Sequence, residues 1–203
     1  MSIIIAGIHT NIGKTICAAT ICQALGYDYW KPVQAGDLEN SDSIFIKNCV
    51  TNTQCTVHPE TYRLTIAASP HFAAAKDGVT ISKEKIILPR SQNNIVIETA
   101  GGIMSPLADD LLNIDIMKQL DLPVILVSNN YLGSINHTLL TIEALQKRNI
   151  VIKGIVFSGN KVNASEDFIL QYSKLPLLFS IPHFPEINAA AINNFVQQVS
   201  IKV

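Results

Sequence analysis

The feature that most constrains the fold is a glycine-containing turn near the amino terminus. The four apolar residues Ile3–Ala6 have the pattern of a short buried strand, and Thr15–Leu25 has the pattern of a helix. Between them lie Gly7 and the segment Gly13–Thr15. A glycine turn between a strand and a helix presents backbone N–H groups to an anion. The sequence therefore predicts a phosphate-binding loop at the edge of a parallel sheet.

Short apolar runs alternate with helical patterns along the rest of the chain. Further strands are predicted at Tyr29–Gln34, Asn94–Glu98, Pro123–Ser128, Ile150–Ser158 and Leu177–Ile181, and further helices at Ser41–Cys49, Ser69–Lys76, Asp109–Leu120, Ser134–Arg148 and Glu186–Val199. Continuous apolar strands separated by helices are typical of a parallel sheet that is covered on both faces. The prediction is an α/β fold with three α/β/α layers and a mostly parallel central sheet, of the P-loop NTPase type. A single domain is expected to span residues 1–203.

Composition restricts the classes of function. The formal net charge is -1 and 15% of the residues are charged, so no global charge attracts nucleic acid or acidic lipid. No apolar stretch approaches the roughly 20 residues that span a bilayer, and Ile3–Ala6 is too short for a secretion signal. The four cysteines lack zinc-binding spacing and are expected to be reduced. We expect a cytoplasmic protein that binds neither nucleic acid nor membrane, and in which Tyr29, Trp30 and Tyr131 serve packing.

Lys14 and Thr15 have the side chains that triphosphate binding requires. The lysine places a positive charge near the outer phosphates, and the hydroxyl after it is a magnesium ligand. The spacing departs from the strict motif, because Ile8 occupies the position of the first glycine and Gly7 lies one residue earlier. A tight turn with a lysine at a helix end is the alternative. Because a strand and a helix flank the loop, we favour binding of ATP with Mg²⁺.

Five segments resemble those of dethiobiotin synthetases, in the same order and with similar spacing. They are the loop Gly7–Thr15 with the pattern Gly-x-x-Thr-x-Ile-Gly-Lys-Thr, the segment Tyr29–Gly36, the acidic turn Asn40–Asp42, the loop Glu98–Gly102 and the loop Leu132–His137. Each segment after the first is a weak signal alone. Together they cover nearly the whole chain and are specific.

The resemblance implies an ATP-dependent ligase of biotin biosynthesis. Members of this family convert 7,8-diaminononanoate, CO2 (or bicarbonate) and MgATP into dethiobiotin, ADP and phosphate. One amine captures CO2 as a carbamate, the carbamate takes the γ-phosphoryl group, and the second amine closes the cyclic urea. The reacting groups are anionic, so this chemistry needs cations and metal more than a nucleophile. A homodimer is also implied, because the family's Leu132–His137 loop reaches the neighbouring subunit's site.

The resemblance assigns site residues to four roles. The catalytic residues are Lys31, Lys14 and Thr10, and the Mg²⁺ ligands are Thr15, Asp42 and Glu98. The nucleotide-binding residues are Asn11, Ile12, Gly13, Lys14, Thr15, Ile16, Asp42, Glu98, Thr99, Ala100, Gly101, Ser158, Asn160, Pro182, His183, Phe184 and Glu186. The substrate-binding residues are Ala35, Gly133, Ser134, Ile135 and Asn136.

Several of these residues have a structural alternative. Lys31 at a strand end is also typical of a surface lysine, and Asp42 of a residue at a helix start. Thr10 alternatively stabilises a turn, and Ser134 alternatively caps the helix that follows it. Glu98 ends an apolar strand, where an unpaired buried carboxylate is unfavourable, so a metal or phosphate site explains it better.

Other points stay open at the level of the sequence. Adenine recognition falls to Ser158 by direct alignment, or to Asn160 if the loop is longer. Ala35 replaces a substrate-binding serine or threonine of the family, and Thr99 replaces a glycine, which disfavours φ > 0 there. The rival functions are another phosphoryl-transfer enzyme, a partitioning or positioning ATPase, and a non-enzymatic nucleotide-binding subunit. His9 stands where the partitioning ATPases have a lysine.

Overall fold

The computed structural model describes residues 1–201, and the last two residues of the predicted domain lie outside the described part. The strands are β1 (Ile3–Gly7), β2 (Asp28–Trp30), β3 (Val33–Ala35), β4 (Tyr62–Leu64), β5 (Ile95–Gly102), β6 (Pro106–Ala108), β7 (Leu111–Leu112), β8 (Val124–Asn129), β9 (Ile152–Ser158) and β10 (Leu177–Ile181). A central sheet has the order β10-β9-β8-β1-β5-β2, and every neighbouring pair is parallel. Parallel neighbours need crossover connections, and helices lie between the strands of this sheet in the sequence. This architecture confirms the predicted α/β fold class.

Helices cover both faces of this sheet. They are α1 (Lys14–Leu25), α2 (Asp42–Cys49), α3 (Pro70–Lys76), α4 (Asn113–Leu120), α5 (Ser134–Lys147), α6 (Asn163–Ser173) and α7 (Ala189–Gln198). On one face, Ile3 and Ile5 of β1 share a core with Ile192 of α7 and with helix α1. On the other face, Ile4 shares a core with Ile114 of α4. Because both faces are covered, β1 is apolar at every position.

The predicted strand Tyr29–Gln34 is in fact two strands in different sheets. β2 belongs to the central sheet, whereas β3 pairs with β4 in a separate, parallel two-stranded sheet. Pro32 separates them, because it has no N–H to continue the first ladder. Its carbonyl oxygen accepts a hydrogen bond from the N–H of Tyr62 at 3.0 Å, next to the second pairing. Lys31 therefore lies at the carboxyl end of β2, next to a break in the sheet.

One predicted helix begins later than expected. Asp109 and Asp110 lie in the turn between β6 and β7, and α4 begins at Asn113. The carboxylate of Asp115 accepts a hydrogen bond from the N–H of Leu112 at 2.9 Å, which satisfies a donor at the helix start. The acidic residue near the positive end of this helix is thus Asp115 rather than the two predicted aspartates.

The last third of the chain contains a helix that was not predicted. Only Glu166 and Ile169 are buried in α6, so its apolar pattern is weak. Helix α7 begins after Asn188 and not at Glu186, because the Asn188 side chain accepts a hydrogen bond from the first turn and caps it. Within residues 1–201, no helix combines the length and the apolar character needed to cross a membrane.

Candidate active site

The loop of residues 7–15 turns into the start of α1. Gly13 caps this helix with a φ of 94°. A Cβ atom on Gly13 would lie 2.9 Å from Ser158 Cβ and closer still to its hydroxyl oxygen, so the backbone angle and the space both require glycine. The Lys14 ammonium reaches back over the loop and donates to the carbonyl oxygen of His9 at 3.0 Å. The loop thus offers free helix N–H groups and a lysine to an anion.

The other residues of this loop differ in exposure. Asn11 is exposed and has a φ of 57°. Ile12 is buried and Ile16 is partly buried, and both pack into the core around α1. A Cβ atom on Gly7 would lie 2.7 Å from Ile12 Cδ1. The glycine that departs from the strict motif therefore makes room for the Ile12 side chain.

Three oxygen-bearing side chains from separate elements meet beside the loop. Thr15 Oγ1 lies 2.9 Å from Asp42 Oδ1 and 2.9 Å from Glu98 Oε1. The hydroxyl has a single proton, so it donates to one carboxylate at a time. Glu98 is buried, whereas Asp42 is partly exposed. The structure brings the three predicted magnesium ligands together.

This set of oxygens fits a magnesium ion. Mg²⁺ prefers hard oxygen ligands and is usually bound through one or two carboxylates, with phosphates and waters completing its shell. Asp42 and Glu98 supply two carboxylates and Thr15 supplies a hydroxyl. In the described part of the chain, no group of three His, Cys, Asp or Glu side chains could hold a metal by itself. A magnesium ion held here would therefore take its remaining ligands from phosphate oxygens and waters.

Lys31 forms an ion pair with this cluster. Its ammonium pairs with Asp42 Oδ2 and lies 4.0 Å from Glu98 Oε1. Burial alone would lower the pKa of Lys31, but the carboxylates of Glu98 and Asp42 outweigh it and raise the pKa. Lys31 is only 7% exposed, so the alternative of a surface lysine is wrong. The Lys31 ammonium thus lies at the carboxyl end of β2 with its pKa above the usual value.

Two further buried groups face the same cluster. Burial lowers the pKa of Lys14, an effect that the negative charge of Glu98 only partly offsets. Burial raises the pKa of Glu98, and the positive charge of Lys31 partly offsets this shift. The other oxygen of Glu98, Oε2, accepts a hydrogen bond from the Tyr29 hydroxyl at 2.9 Å. Tyr29 therefore not only packs in the core but also hydrogen-bonds a residue of the oxygen cluster.

A cavity of about 620 Å³ opens beside the cluster. Its lining contains the predicted residues Thr10, Asn11, Lys31, Ala35, Asp42, Ala100 and Gly101, and also Gln34, Asp37, Ser105 and residues 67–70. At Gly36 the φ is 71°, and a Cβ atom would collide with Ala67. The wall at residues 67–70 was not predicted, because this segment between β4 and α3 has no motif of its own.

The end of β5 forms another wall of the site. Thr99 donates a hydrogen bond from its hydroxyl to the carbonyl oxygen of Ile5 at 3.3 Å, and its φ is not positive, as expected for a β-branched residue. The left-handed residue of this segment is Gly101, with a φ of 78°. A Cβ atom there would lie 2.8 Å from Ser105 Oγ. The loop therefore accepts threonine at position 99 but requires glycine at position 101.

The predicted base-binding residues follow β9 and β10 at the same edge of the sheet. Ser158 ends β9 and faces the phosphate loop at Gly13. Asn160 is exposed, and its backbone carbonyl accepts a hydrogen bond from the Asn130 side chain at 2.9 Å. Phe184 packs edge-on against Phe195, with ring centroids 5.7 Å apart. Of the predicted residues after β10, Pro182, His183 and Glu186 are exposed.

The predicted substrate-carboxylate loop lies away from the cavity of its own chain. Residues 133–136 are absent from the lining of the cavity beside Lys31. Gly133 precedes α5 with a φ of 102°, and Ser134 is buried without capping the helix, so the alternative of Ser134 as cap is wrong. The rest of this segment is more exposed than Ser134: Ile135 is partly buried, Asn136 is exposed, and Leu132 just before the segment is fully exposed.

Residues 1–191 match the family described as AAA domain. The ATP-dependent dethiobiotin synthetase BioD of Chlamydia pneumoniae is 43% identical over 196 residues, covering 97% of this chain and 88% of the relative. The chain belongs to the dethiobiotin synthetase family. Two further members with the same name, from Cytophaga hutchinsonii and Christiangramia forsetii, are 47% and 42% identical, covering 87% and 97% of this chain and 86% and 95% of the relatives.

Two solved structures of ATPases have a fold similar to that of this chain. A ParA family ATPase from Chlorobium tepidum superposes with a TM-score of 0.61 at 11% identity, covering 97% of each chain. The cell division ATPase MinD of Pyrococcus furiosus superposes with a TM-score of 0.55 at 15% identity, also covering 97% of each chain. At these identities the likeness concerns the fold alone.

Proposed function

We propose that this protein is an ATP-dependent dethiobiotin synthetase, which forms the cyclic urea of dethiobiotin from 7,8-diaminononanoate, CO2 and MgATP. One observation carries the proposal. The oxygen cluster of Thr15, Asp42 and Glu98, paired with Lys31, lies beside both the phosphate loop and a cavity of about 620 Å³. An enzyme that phosphorylates a carbamate needs the triphosphate and the acceptor next to one another in this way.

The proposed chemistry has three steps. An amine nitrogen bonds to the carbon of CO2 and loses a proton, which gives a carbamate anion. A carbamate oxygen bonds to the γ-phosphorus of ATP as ADP leaves, which gives a carbamic-phosphoric anhydride. The second amine attacks the carbonyl carbon and loses a proton, phosphate leaves with the C–O bonding pair, and the ring closes. The second step brings two anions together, the carbamate and the γ-phosphate, so positioned positive charges lower its barrier.

The proposed roles follow from charge and position. Lys31 stays cationic because Glu98 and Asp42 raise its pKa, so it stabilises the carbamate and the transferring phosphoryl group. Lys14 binds the outer phosphates, and Thr10, which lines the cavity, hydrogen-bonds the carbamate. Thr15, Asp42 and Glu98 would hold Mg²⁺, which neutralises phosphate charge when bound. The residues after β9 and β10 cover the base, with Ser158 nearest the phosphate loop.

We also propose a homodimer in which residues 133–136 bind the substrate carboxylate in the partner's cavity. These residues lie outside the cavity of their own chain. Leu132, Leu140, Phe168 and Tyr172 are exposed around α5 and α6, and the rings of Phe168 and Tyr172 stack with centroids 5.9 Å apart. Exposed apolar side chains grouped in this way are typical of a protein interface.

The rival of another class is a partitioning ATPase. His9 stands at the position where such proteins have a lysine, so the feature that reaches across their dimer is missing. Other phosphoryl-transfer enzymes on this scaffold do not account for the family membership. We further propose that the whole chain forms one domain and acts in the cytoplasm, bound to neither nucleic acid nor membrane.

A product assay tests the proposed function. Purified protein with diaminononanoate, bicarbonate and MgATP is expected to release ADP and dethiobiotin in equal amounts, as measured by mass spectrometry. Lys31→Ala is expected to lower kcat by at least about a hundredfold, because it removes a charge beside the transferring group. Lys47→Ala, at an exposed position on the helix that contains Asp42, is the matched control. ADP release that is indifferent to the diamine would refute the assignment.

A further inference from the structure

Tyr29 lies in the core with its hydroxyl directed at the site. The residue is 0% exposed and packs among apolar residues that cover one face of the sheet. Its strand, β2, pairs with β5, and Tyr29 is opposite Val96 in the register. Glu98 follows two residues later on β5, on the same side of the sheet as Val96. The Tyr29 hydroxyl donates to Glu98 Oε2 at 2.9 Å.

The two oxygens of Glu98 have different partners. Oε1 lies 2.9 Å from the Thr15 hydroxyl and 4.0 Å from the Lys31 ammonium, so it belongs to the oxygen cluster. Oε2 is bound by Tyr29. The last torsion of a glutamate side chain is soft, so packing alone defines it poorly. A hydrogen bond to one oxygen fixes the plane of the carboxylate and therefore the direction of the other oxygen.

We propose that Tyr29 is a positioning residue, whose hydroxyl holds the Glu98 carboxylate so that Oε1 faces the magnesium ion. The inference rests on the proposed role of Glu98 as a ligand. Asp42 needs no such partner, because Lys31 binds its second oxygen directly. Side chains that hydrogen-bond a metal ligand affect metal affinity by about 10–100-fold.

Tyr29→Phe tests the proposal, since it removes the hydroxyl and keeps the ring. Tyr62→Phe is the matched control, because Tyr62 is also buried and its hydroxyl accepts a hydrogen bond from the N–H of Ser82 at 3.0 Å, outside the oxygen cluster. The measurement is the dissociation constant of Mn²⁺ in the presence of a non-hydrolysable ATP analogue, by electron paramagnetic resonance. We expect Tyr29→Phe to raise it by about tenfold or more, and Tyr62→Phe to leave it unchanged.

Thermal unfolding separates positioning from folding. Each variant loses the hydrogen bond of one tyrosine hydroxyl, so we expect a decrease in Tm in both, whereas only Tyr29→Phe weakens Mn²⁺ binding. In the activity assay, Tyr29→Phe is expected to need more Mg²⁺ for half-maximal rate, with the rate largely restored at saturating Mg²⁺. Metal affinities that are equal in the two variants would overturn the proposal.

Glu98→Gln separates the ligand role of Glu98 from the positioning role of Tyr29. If Glu98→Gln binds Mn²⁺ as the unchanged protein does, Glu98 is not a ligand and the role of Tyr29 falls with it. If Glu98→Gln weakens Mn²⁺ binding and Tyr29→Phe does not, the proposed site stands and only the positioning role is refuted. Should Tyr29→Phe fail to fold, Tyr29→Leu replaces it. Failure of both variants to fold would assign Tyr29 to the core alone.

Discussion

Replacement of Gly13 by alanine tests why the phosphate loop needs glycine at the start of α1. At a φ of 94°, an L-residue loses about 1–2 kcal/mol relative to glycine. The new methyl group would also lie 2.9 Å from Ser158 Cβ and closer to its hydroxyl oxygen, and overpacking of this kind adds about 1–3 kcal/mol. We therefore expect Gly13→Ala to lower the free energy of unfolding by about 2–5 kcal/mol in total.

Gly159 supplies a matched control for the backbone angle. Its φ is 88°, and a Cβ atom there would meet nothing within 4 Å. Gly159→Ala therefore tests the backbone term alone, about 1–2 kcal/mol. Urea denaturation of the two variants gives both free energies of unfolding, and their difference isolates the contact with Ser158. In a double-mutant cycle, Ser158→Gly is expected to recover about 1–3 kcal/mol in the Gly13→Ala background.

Equal losses in Gly13→Ala and Gly159→Ala would refute the crowding argument. Nucleotide binding gives a second readout, measured by isothermal titration calorimetry with ATP. We expect Gly13→Ala to bind ATP more weakly, because a displaced loop presents its N–H groups less well. Gly78→Ala, which has a φ of 66° and nothing within 4 Å of its Cβ position, lies outside the site and is expected to bind ATP normally.

Two further predictions concern pH and assembly. Asp28 is buried and accepts hydrogen bonds from Ser91, His58, Thr56 and Asn93. Burial opposes ionisation, but these hydrogen bonds, from Ser91 first, hold the pKa of Asp28 below its usual value. The resulting stability is present above the unfolded pKa of about 4 and is lost as the pH falls through the folded pKa. Asp28→Asn is thus expected to lower the urea midpoint at pH 7, with a smaller deficit below about pH 4. Tyr172→Glu places a charge among the exposed apolar residues of α6. We expect sedimentation velocity to show a larger fraction of monomer than in the unchanged protein. An unchanged ratio of dimer to monomer would place the interface elsewhere.

Local signals made the first part of the site predictable. Apolar residues, a glycine turn and a helical pattern follow one another between Ile3 and Leu25, so β1, the loop and α1 depend on neighbours in the sequence. The central strands were predictable for a similar reason, because a strand buried on both faces is apolar at each position.

Features that depend on distant partners were not predictable. The division of Tyr29–Gln34 into two strands depends on β4, which begins at residue 62. Tyr29 itself has no local sign of a polar role, because its partner Glu98 lies 69 residues away. The cavity wall at residues 67–70 likewise depends on the close approach of Ala67 to Gly36. The weakly apolar α6 was missed because most of its residues face outwards.

The hydrogen bond between Lys14 and His9 occupies one of the three N–H groups of the lysine ammonium. The carbonyl oxygen thus holds the side chain over the loop, while the ammonium keeps further donors for a phosphate. Because the acceptor belongs to the main chain, any side chain at position 9 provides it. Residue 9 is therefore free to change during evolution while the lysine keeps its resting position.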